Sequence, residues 1–476
     1  MDTFARVPSP GEMGLDGGAV ARFFKRHKDL GIHTLGVVRG NMVYAVDVKP
    51  WDVGAPHTLF SLSKSYCSMA AGIAVAEGLL SYEDSAADVL SGSLPAGHDP
   101  ALREVKLRHL LSMSSGLDEK SDTRDLRMKP DWAREVLRHR VLHEPGTRFH
   151  YNTHGTYLAG RMVEARAGMT LRDYLLPRLF APLGIKRPQW DCCPRGHNTA
   201  GFGLHLSCMD IARTAALLLA GGVWEGKRLL PEDYLRQATA KQVDNRNPDK
   251  PGDGDWEQGY GWQFWMARHG RFRGDGMYGQ VMLMDPEGGV ALAVTAGLND
   301  MGREMDALHG LLDDLLGKAP GAKPRAASLN RVAKSLTFPA PEDDGGELPE
   351  TLRREGTWAG PGGRWMRAES PDEDTLRLTW MGPGQKVPFT VTFARKAARR
   401  GEHVTYVPGE RPQACLGRFG VKDGIVHAQL LFPEAPYTLL ARIAPEEGGL
   451  SVHMEGVGFE SGDFRFRPAS FAGEGA

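Results

Sequence analysis

The most informative segment of the chain runs Thr58-Leu-Phe-Ser-Leu-Ser-Lys-Ser-Tyr-Cys-Ser-Met-Ala-Ala-Gly-Ile-Ala-Val-Ala-Glu-Gly-Leu-Leu80. From Tyr66 onward its residues are small or apolar almost all round, which predicts a helix that passes through a core rather than across a surface. Ser61 and Lys64 stand three residues apart at its start, so we expect them to share one helical face. The segment therefore predicts a buried helix with two polar side chains at its mouth.

These two side chains form a Ser-x-x-Lys pair that can act as nucleophile and base. A serine hydroxyl becomes a good nucleophile only when a neighbouring base takes its proton. Burial would disfavour the charged ammonium of Lys64 and leave the amine able to act as that base. The alternative is an N-cap serine followed by a surface lysine, and the apolar character of the helix argues against it.

The composition limits the range of partners. The chain has 476 residues, which predicts two or three domains, and its 58 Lys and Arg residues balance 59 Asp and Glu residues. This balance predicts no nucleic-acid partner and no attraction to an anionic membrane. We expect a small-molecule ligand instead.

The cysteines and the N-terminus indicate a reducing compartment. The five cysteines form neither a disulfide framework nor a zinc-ligand spacing. The first residues lack a signal-peptide pattern, and no run of about 18 apolar residues predicts a membrane span. We therefore expect a cytoplasmic protein.

Three motif-like patterns predict no cofactor and no metal. Gly274–Gly279 matches a dinucleotide fingerprint, but a strand-like segment follows it instead of a helix. Gly221–Lys227 resembles a phosphate loop, but Arg228 replaces the Ser or Thr that would bind magnesium. His150 and His154 have the spacing of a metal pair, but no third ligand is in view.

Hydrophobic periodicity predicts a first domain over residues 1–317 with one antiparallel sheet covered by helices, an α/β (α+β) fold. The hairpin 33–48 turns at Arg39-Gly40-Asn41, and Tyr151 is expected near the start of a helix. The other predicted helices are 17–30, 106–111, 131–141, 207–220 and 301–316. Strands are also predicted over 259–267 and 281–295, the second stretch with a turn at Pro286-Glu-Gly-Gly289.

Composition changes after Gly317, where Pro and Gly become frequent and predict a linker over residues 318–349. Residues 350–476 then predict an all-β domain, either a barrel or a sandwich. For this domain the sequence leaves open a cover over the active-site mouth, a homodimer contact, a lipid-like ligand site and a purely structural role. Its predicted strands are 376–380, 387–393, 404–407, 425–432, 437–443 and 464–467.

Several segments together resemble the serine β-lactamase and penicillin-binding-protein-like superfamily, in particular its class C-like esterase, peptidase and amidase branch. The resemblance is carried, in family order, by Thr58–Ser65, Val105–Leu117, Pro145–Gly160 and Gly203–Arg213. It covers roughly residues 15–317 and implies a β-lactamase/transpeptidase-like fold for that region. It does not extend to the C-terminal domain.

The resemblance also implies roles for individual residues. Ser61 would be the acylated nucleophile and Lys64 its base partner. Tyr151 matches the tyrosine of the family's Tyr-x-Asn motif and would carry a proton to the leaving group and help activate water. The third position of that motif is Thr153 here, and the adjacent Asn152 could substitute for the missing amide.

The family's third motif, Lys-Thr-Gly or His-x-Gly, corresponds to Gly274-Asp275-Gly276. This match implies an oxyanion hole made by the backbone N–H groups of Ser61 and Met277. Position 274 lacks the cationic or imidazole side chain that helps the family hold a carboxylate. This departure argues against efficient β-lactam hydrolysis.

We therefore predict a serine hydrolase that forms an acyl-enzyme on Ser61 and cleaves a small ester or amide. Within the enzyme class, the alternatives are a peptidase or amidase acting on D-amino-acid substrates and a weak β-lactamase. From a different class, the fold could be a degenerate ligand-binding or sensor module. The joint presence of Ser61, Lys64 and Tyr151 argues against that module, because ligand binding alone does not require this set.

Overall fold

The computed structural model of the chain describes residues 4–118, 123–246, 254–317, 336–382, 388–396, 398–401 and 413–469. It divides into two compact units, Met1–Leu336 and Thr337–Ala476. Their boundary falls within the segment predicted as a linker, of which residues 318–335 lie outside the described residues. No helix in the described ranges is long and apolar enough to cross a membrane.

The first unit combines helices with one large sheet. Its helices are α1 Ala19–Arg26, α2 Ser63–Ala76, α3 Ala86–Val89, α4 Leu107–Leu111, α5 Thr123–Arg127, α6 Trp132–Val136, α7 Thr153–Ala167, α8 Leu171–Leu175, α9 Cys208–Leu219, α10 Glu232–Ala238 and α11 Met301–Leu315. Its strands are β1 Ala5–Arg6, β2 Ile32–Arg39, β3 Met42–Asp47, β4 His57–Thr58, β5 Gln189–Trp190, β6 Leu204–Leu206, β7 Val223–Trp224, β8 Lys227–Arg228, β9 Trp265–Met266, β10 Phe272–Gly276, β11 Gln280–Asp285 and β12 Val290–Ala296.

The large sheet has the order β1-β3-β2-β12-β11-β10-β9, and both ends of the unit contribute strands to it. All its pairings are antiparallel except the short parallel contact of β1 with β3. Arg39 pairs with Met42, so the hairpin turns at Gly40 and Asn41 as predicted. The predicted antiparallel sheet with covering helices is confirmed.

Apolar residues alternate along the strands, so each face of the sheet is buried against helices. Leu35 and Val37 of β2 face the core built with α1 and α11. Val38 and Val43 face the larger core, which contains α2 and α9. The sheet therefore lies between two helical layers, and α2 is buried from Ser63 to Ala74 as its composition predicts.

The predicted strand over 259–267 is wrong for most of its length, since only Trp265–Met266 is extended there. Gln263 has a φ of 61° in the left-handed region, which breaks the extended backbone. Its side-chain amide donates to the carbonyls of Leu110 and Leu111, both at 3.0 Å. Tertiary hydrogen bonding thus overrides the local strand pattern.

The described residues of the second unit form a closed β-barrel and one short α-helix, α12 Glu350–Arg353. Its strands are β13 Gly356–Ala359, β14 Trp365–Asp372, β15 Thr375–Met381, β16 Phe389–Ala394, β17 Arg399–Arg400, β18 Leu416–Lys422, β19 Ile425–Leu431, β20 Thr438–Glu446, β21 Gly449–Val457 and β22 Gly462–Pro468. Nine of the described strands form the ring, which the β16–β18 pairing closes.

Buried and exposed side chains alternate along the barrel strands, as expected for a sheet that closes on itself. Leu376 and Leu378 of β15 are buried inside, whereas Arg377 between them is exposed. The predicted all-β barrel-like domain is confirmed in this form. The predicted strand 404–407 lies outside the described residues.

Candidate active site

Ser61 lies in a tight turn immediately before the buried helix, whereas the sequence predicts it on the helix itself. The turn is a 3-10 turn over Phe60–Leu62, and α2 begins at Ser63. Phe60 has a φ of 47°, a left-handed conformation that costs a non-glycine residue about 1–3 kcal/mol. Such conformations persist only where the surrounding structure fixes them.

Lys64 is buried next to this turn and contacts Ser61. Its Nζ donates to Ser61 Oγ at 2.8 Å and to the Gly201 carbonyl at 2.8 Å. Desolvation by burial lowers the pKa of the lysine from 10.5 to about 7, and the negative charge of Asp275 opposes part of that decrease. A large share of the Lys64 side chains is therefore uncharged near neutral pH and able to accept a proton.

Tyr151 lies beside Lys64. Lys64 Nζ lies 5.0 Å from the centroid of its ring. The ring stacks on Trp265 at 5.4 Å and meets Tyr260 edge-on at 6.3 Å. Desolvation raises the pKa of Tyr151 far above its usual range, the charge of Asp275 adds to the increase, and a hydrogen bond with Ser61 opposes it. The phenol therefore stays protonated and can donate a proton.

The predicted position of Tyr151 on a helix is wrong, because α7 begins two residues later, at Thr153. Asn152 is the N-cap of α7, and its Oδ1 accepts from the Gly155 N–H at 3.1 Å. Its Nδ2 is buried without a hydrogen-bond partner among the described residues. The capping role explains why the chain has an amide here rather than one position later.

Thr153 borders the lysine site through the Gly201 backbone. A Cβ added to Gly201 would lie 2.7 Å from Thr153 Cγ2 and 3.5 Å from Lys64 Nζ. The threonine methyl group thus packs against the segment that supplies the carbonyl acceptor of Lys64. Any side chain at position 201 would push these groups apart.

Strand β10 runs directly beside the Ser61 turn. A Cβ at Gly276 would lie 2.1 Å from the Leu59 carbonyl oxygen and 3.1 Å from the Ser61 nitrogen. Only glycine permits so close an approach of two backbone segments. Met277 follows the strand and is 55% exposed, and its N–H has no hydrogen-bond partner among the described residues.

Gly274 also faces α2. A Cβ at this position would lie 2.5 Å from Ser65 Oγ and 2.6 Å from Leu62 Cδ1. A side chain at position 274 would therefore displace Leu62 Cδ1 and Ser65 Oγ, which donates to the Gln263 carbonyl at 2.8 Å.

Two charged residues of β10 point to the other face of the strand. Arg273 Nε donates to Asp275 Oδ2 at 3.0 Å in a buried ion pair. The guanidinium lies 4.8 Å from the Trp256 ring and 5.7 Å from the Trp265 ring. Burial raises the pKa of the nearby Glu304 to about 8, so that carboxyl is mostly neutral at pH 7, whereas Asp275 forms the ion pair with Arg273.

The structure thus brings Ser61, Lys64, Tyr151, Thr153 and β10 together, as the sequence predicts. Sequence reasoning assigned no role to four residues near Lys64 and Tyr151, namely Gly201, Trp265, Arg273 and Asp275. Asp275 could have been noticed, because it lies between the two predicted glycines. Gly201 and Trp265 give no local signal, since their contacts depend on tertiary packing.

The described residues contain no group of three or more His, Cys, Asp or Glu side chains placed to hold a metal ion. His150 lies just before Tyr151 in the sequence, and His154 is buried in α7.

Comparison with known families places this geometry in context. A sequence model described as Beta-lactamase matches residues 20–316, which is more than half of the chain. The match contains α2, α7, β10 and therefore every residue of the candidate site. It ends before the barrel begins.

Solved structures share the fold at low sequence identity. A family VIII carboxylesterase aligns with a TM-score of 0.53 and 15% sequence identity. The alignment covers 65% of this chain and 99% of the carboxylesterase. EstCE1, a hydrolase with promiscuous acyltransferase activity, aligns with a TM-score of 0.51 and 18% sequence identity. The alignment covers 63% of this chain and 98% of EstCE1. An octameric penicillin-binding protein homologue from Pyrococcus abyssi aligns with a TM-score of 0.50 and 17% sequence identity. The alignment covers 96% of this chain and 99% of the homologue.

Proposed function

Because this chain belongs to the β-lactamase family, we propose that it is a serine hydrolase that forms an acyl-enzyme on Ser61 and hydrolyses a small ester. The observation that carries the proposal is the contact between Ser61 Oγ and Lys64 Nζ at 2.8 Å. Burial lowers the pKa of that lysine to about 7, which gives Ser61 a base that works at neutral pH.

Acylation follows from this arrangement. Lys64 takes the proton of Ser61 as Oγ attacks the substrate carbonyl carbon. The N–H groups of Ser61 and Met277 donate to the resulting oxyanion, and each such donor contributes about 10²–10³ in rate. The Tyr151 hydroxyl donates its proton to the leaving oxygen as the carbon–oxygen bond breaks, and it regains a proton from the Lys64 ammonium.

Deacylation uses the same groups. A water molecule attacks the acyl carbon and gives a proton to the neutral Lys64 amine. The bond between the acyl carbon and Ser61 Oγ then breaks, and Lys64 returns its proton to that oxygen. The carboxylic acid leaves, and the site regains its starting protonation.

An ester fits this site better than an amide or a β-lactam. An amide nitrogen must be protonated before the carbon–nitrogen bond breaks, and the raised pKa of Tyr151 makes it a weak acid. Position 274 is a glycine, so it supplies no cation that would bind a substrate carboxylate. Carboxylesterase and acyltransferase activities named for two fold neighbours accord with an acyl-enzyme on an ester.

The test is covalent labelling combined with turnover. After incubation with a fluorophosphonate, intact mass should show one adduct on the wild type and none on Ser61→Ala. Lys64→Ala should be labelled far more slowly than the wild type. p-Nitrophenyl butyrate should turn over faster than p-nitrobutyranilide, and nitrocefin should not be hydrolysed efficiently. A folded wild type with neither adduct nor turnover would instead support the ligand-binding module.

The cytoplasmic location and the homodimer contact remain predictions. The octameric assembly named for the Pyrococcus abyssi homologue makes an oligomer of this chain worth measuring by light scattering.

A further inference from the structure

The barrel of the second unit contains a cavity of about 80 Å³. Residues of β14, β15, β16, β19, β20, β21 and β22 line it, so it lies inside the ring of strands. Folded interiors contain few voids larger than a water molecule. A cavity of this size in a closed barrel therefore suggests a ligand.

Apolar side chains make most of the cavity wall. Aromatic and methionine residues dominate it, among them Trp365, Met366, Trp380, Phe393, Met454 and Phe466. Apolar cavities hold apolar molecules in preference to water, and small closed barrels are wide enough for one small ligand. We propose that this cavity binds one linear, uncharged aliphatic chain.

The size of the cavity sets the length of the chain. A sphere the size of one water molecule occupies about 10–15 Å³, and the cavity volume of about 80 Å³ is about six times that. A methylene group is about as large as a water molecule. The ligand is therefore a straight chain of about six to eight carbons, and fused rings or long lipids are too large.

Among the described residues that line the cavity, Arg364 and Glu460 carry the charged side chains, and they pair with each other. Arg364 Nη2 and Nε donate to the two carboxylate oxygens of Glu460, and the guanidinium lies over the Phe464 ring at 4.9 Å. The arginine charge is thus already compensated, so a carboxylate ligand would have to displace Glu460. This pairing favours an alcohol or another neutral head over a fatty-acid anion.

The experiment is titration calorimetry of the full-length Ser61→Ala protein with straight-chain 1-alkanols from butanol to dodecanol. The Ser61→Ala background removes the proposed nucleophile, so binding is measured whether or not the chain is a hydrolase. We expect one site per chain and an affinity that rises about fourfold per methylene and stops rising at about hexanol to octanol. Hexanoate should bind at least tenfold more weakly than 1-hexanol.

Three further variants locate the site. Ala441 lines the cavity from β20, so Ala441→Phe should fill it and reduce hexanol affinity at least tenfold. Thr379→Phe is the matched control, because Thr379 lies between two cavity residues of β15 and its hydroxyl hydrogen-bonds Thr390 on the exposed side at 3.0 Å. Trp380→Ala should enlarge the cavity. The alkanol length at which affinity stops rising should then increase by several carbons.

Trp380→Ala keeps the proposal testable if Ala441→Phe fails to fold, which circular dichroism will show. Failure of every alkanol to bind saturably would overturn the proposal. An affinity independent of alkanol chain length would also overturn it. So would folded Trp380→Ala in which affinity stops rising at the same chain length as before, or an equal loss of hexanol affinity in Thr379→Phe and Ala441→Phe. Tighter binding of hexanoate than of hexanol would overturn the assignment of a neutral ligand.

Discussion

Lys64→Met is expected to abolish acylation and, at neutral pH, to make the first unit more stable. Folding lowers the pKa of Lys64 from 10.5 to about 7, and one pKa unit corresponds to 1.36 kcal/mol, so the buried amine costs about 5 kcal/mol at low pH. Methionine has no such cost. It loses the two hydrogen bonds of Nζ, which contribute about 1 kcal/mol each, so the net gain is about 3 kcal/mol.

The sign of this gain depends on pH. Between pH 7 and 10.5 the unfolded chain keeps the Lys64 proton that the folded chain has lost. The free energy of unfolding of the wild type therefore rises with pH through that window, and the full cost applies below it. The advantage of methionine shrinks by about 1.4 kcal/mol per pH unit and should reach zero at about pH 9. Above that pH the wild type should be the more stable protein.

Urea unfolding of the full chain at several pH values between 6 and 10, followed by circular dichroism, measures this difference. The two units can unfold separately, so the transition of the first unit is identified by the helical band of the circular dichroism spectrum, because α12 is the one described α-helix of the second unit. Ser61→Ala is the control, because it keeps the lysine and should keep the pH dependence of the wild type. A Lys64→Met protein no more stable than the wild type at pH 7, or a difference that does not change with pH, would refute burial as the cause.

Four changes test the chemistry of the site. The kcat/KM for p-nitrophenyl butyrate should rise tenfold per pH unit below about 7 and level off above it, since neutral Lys64 is the active form. Asp275→Asn should move that inflection to lower pH in the same profile, because the aspartate charge raises the pKa of Lys64. Tyr151→Phe should slow ethyl butyrate hydrolysis by about 10²–10⁴ and p-nitrophenyl butyrate much less, because nitrophenolate leaves without a proton. Gly276→Ala places a Cβ 2.1 Å from a carbonyl oxygen of the nucleophile turn, and fluorophosphonate labelling of Ser61 should slow by about 100-fold or more.

The nucleophile and its base could be predicted because their signal is local. Ser61 and Lys64 stand three positions apart, and the helix that follows is apolar on almost every side. Both properties can be read from one short segment, and α2 is indeed buried nearly throughout. The barrel was predictable for a related reason, since strands with alternating burial such as β15 leave a period-two pattern.

The contacts that surround Lys64 and Tyr151 could not be predicted in the same way. Gly201, whose carbonyl accepts from Lys64, lies 137 residues away in the sequence. Trp265 stacks on Tyr151, and Gln263, two residues before Trp265, has a left-handed backbone that interrupts the predicted strand. These contacts result from packing between distant segments, and a single sequence carries no pattern for them.

The oxyanion donors proposed for this site show how such packing and local strain depend on each other. Phe60 precedes Ser61 and Tyr278 follows Met277, and both have a left-handed backbone, with φ of 47° and 67°. Their rings meet edge-on with centroids 5.4 Å apart, an arrangement that contributes about 0.5–1.5 kcal/mol. The same aromatic contact therefore offsets strain in both segments and joins the two backbone positions that would have to face one oxygen atom. A Ser-x-x-Lys pair on a helix specifies the nucleophile, but this second, tertiary contact is what would set the distance between its two N–H donors.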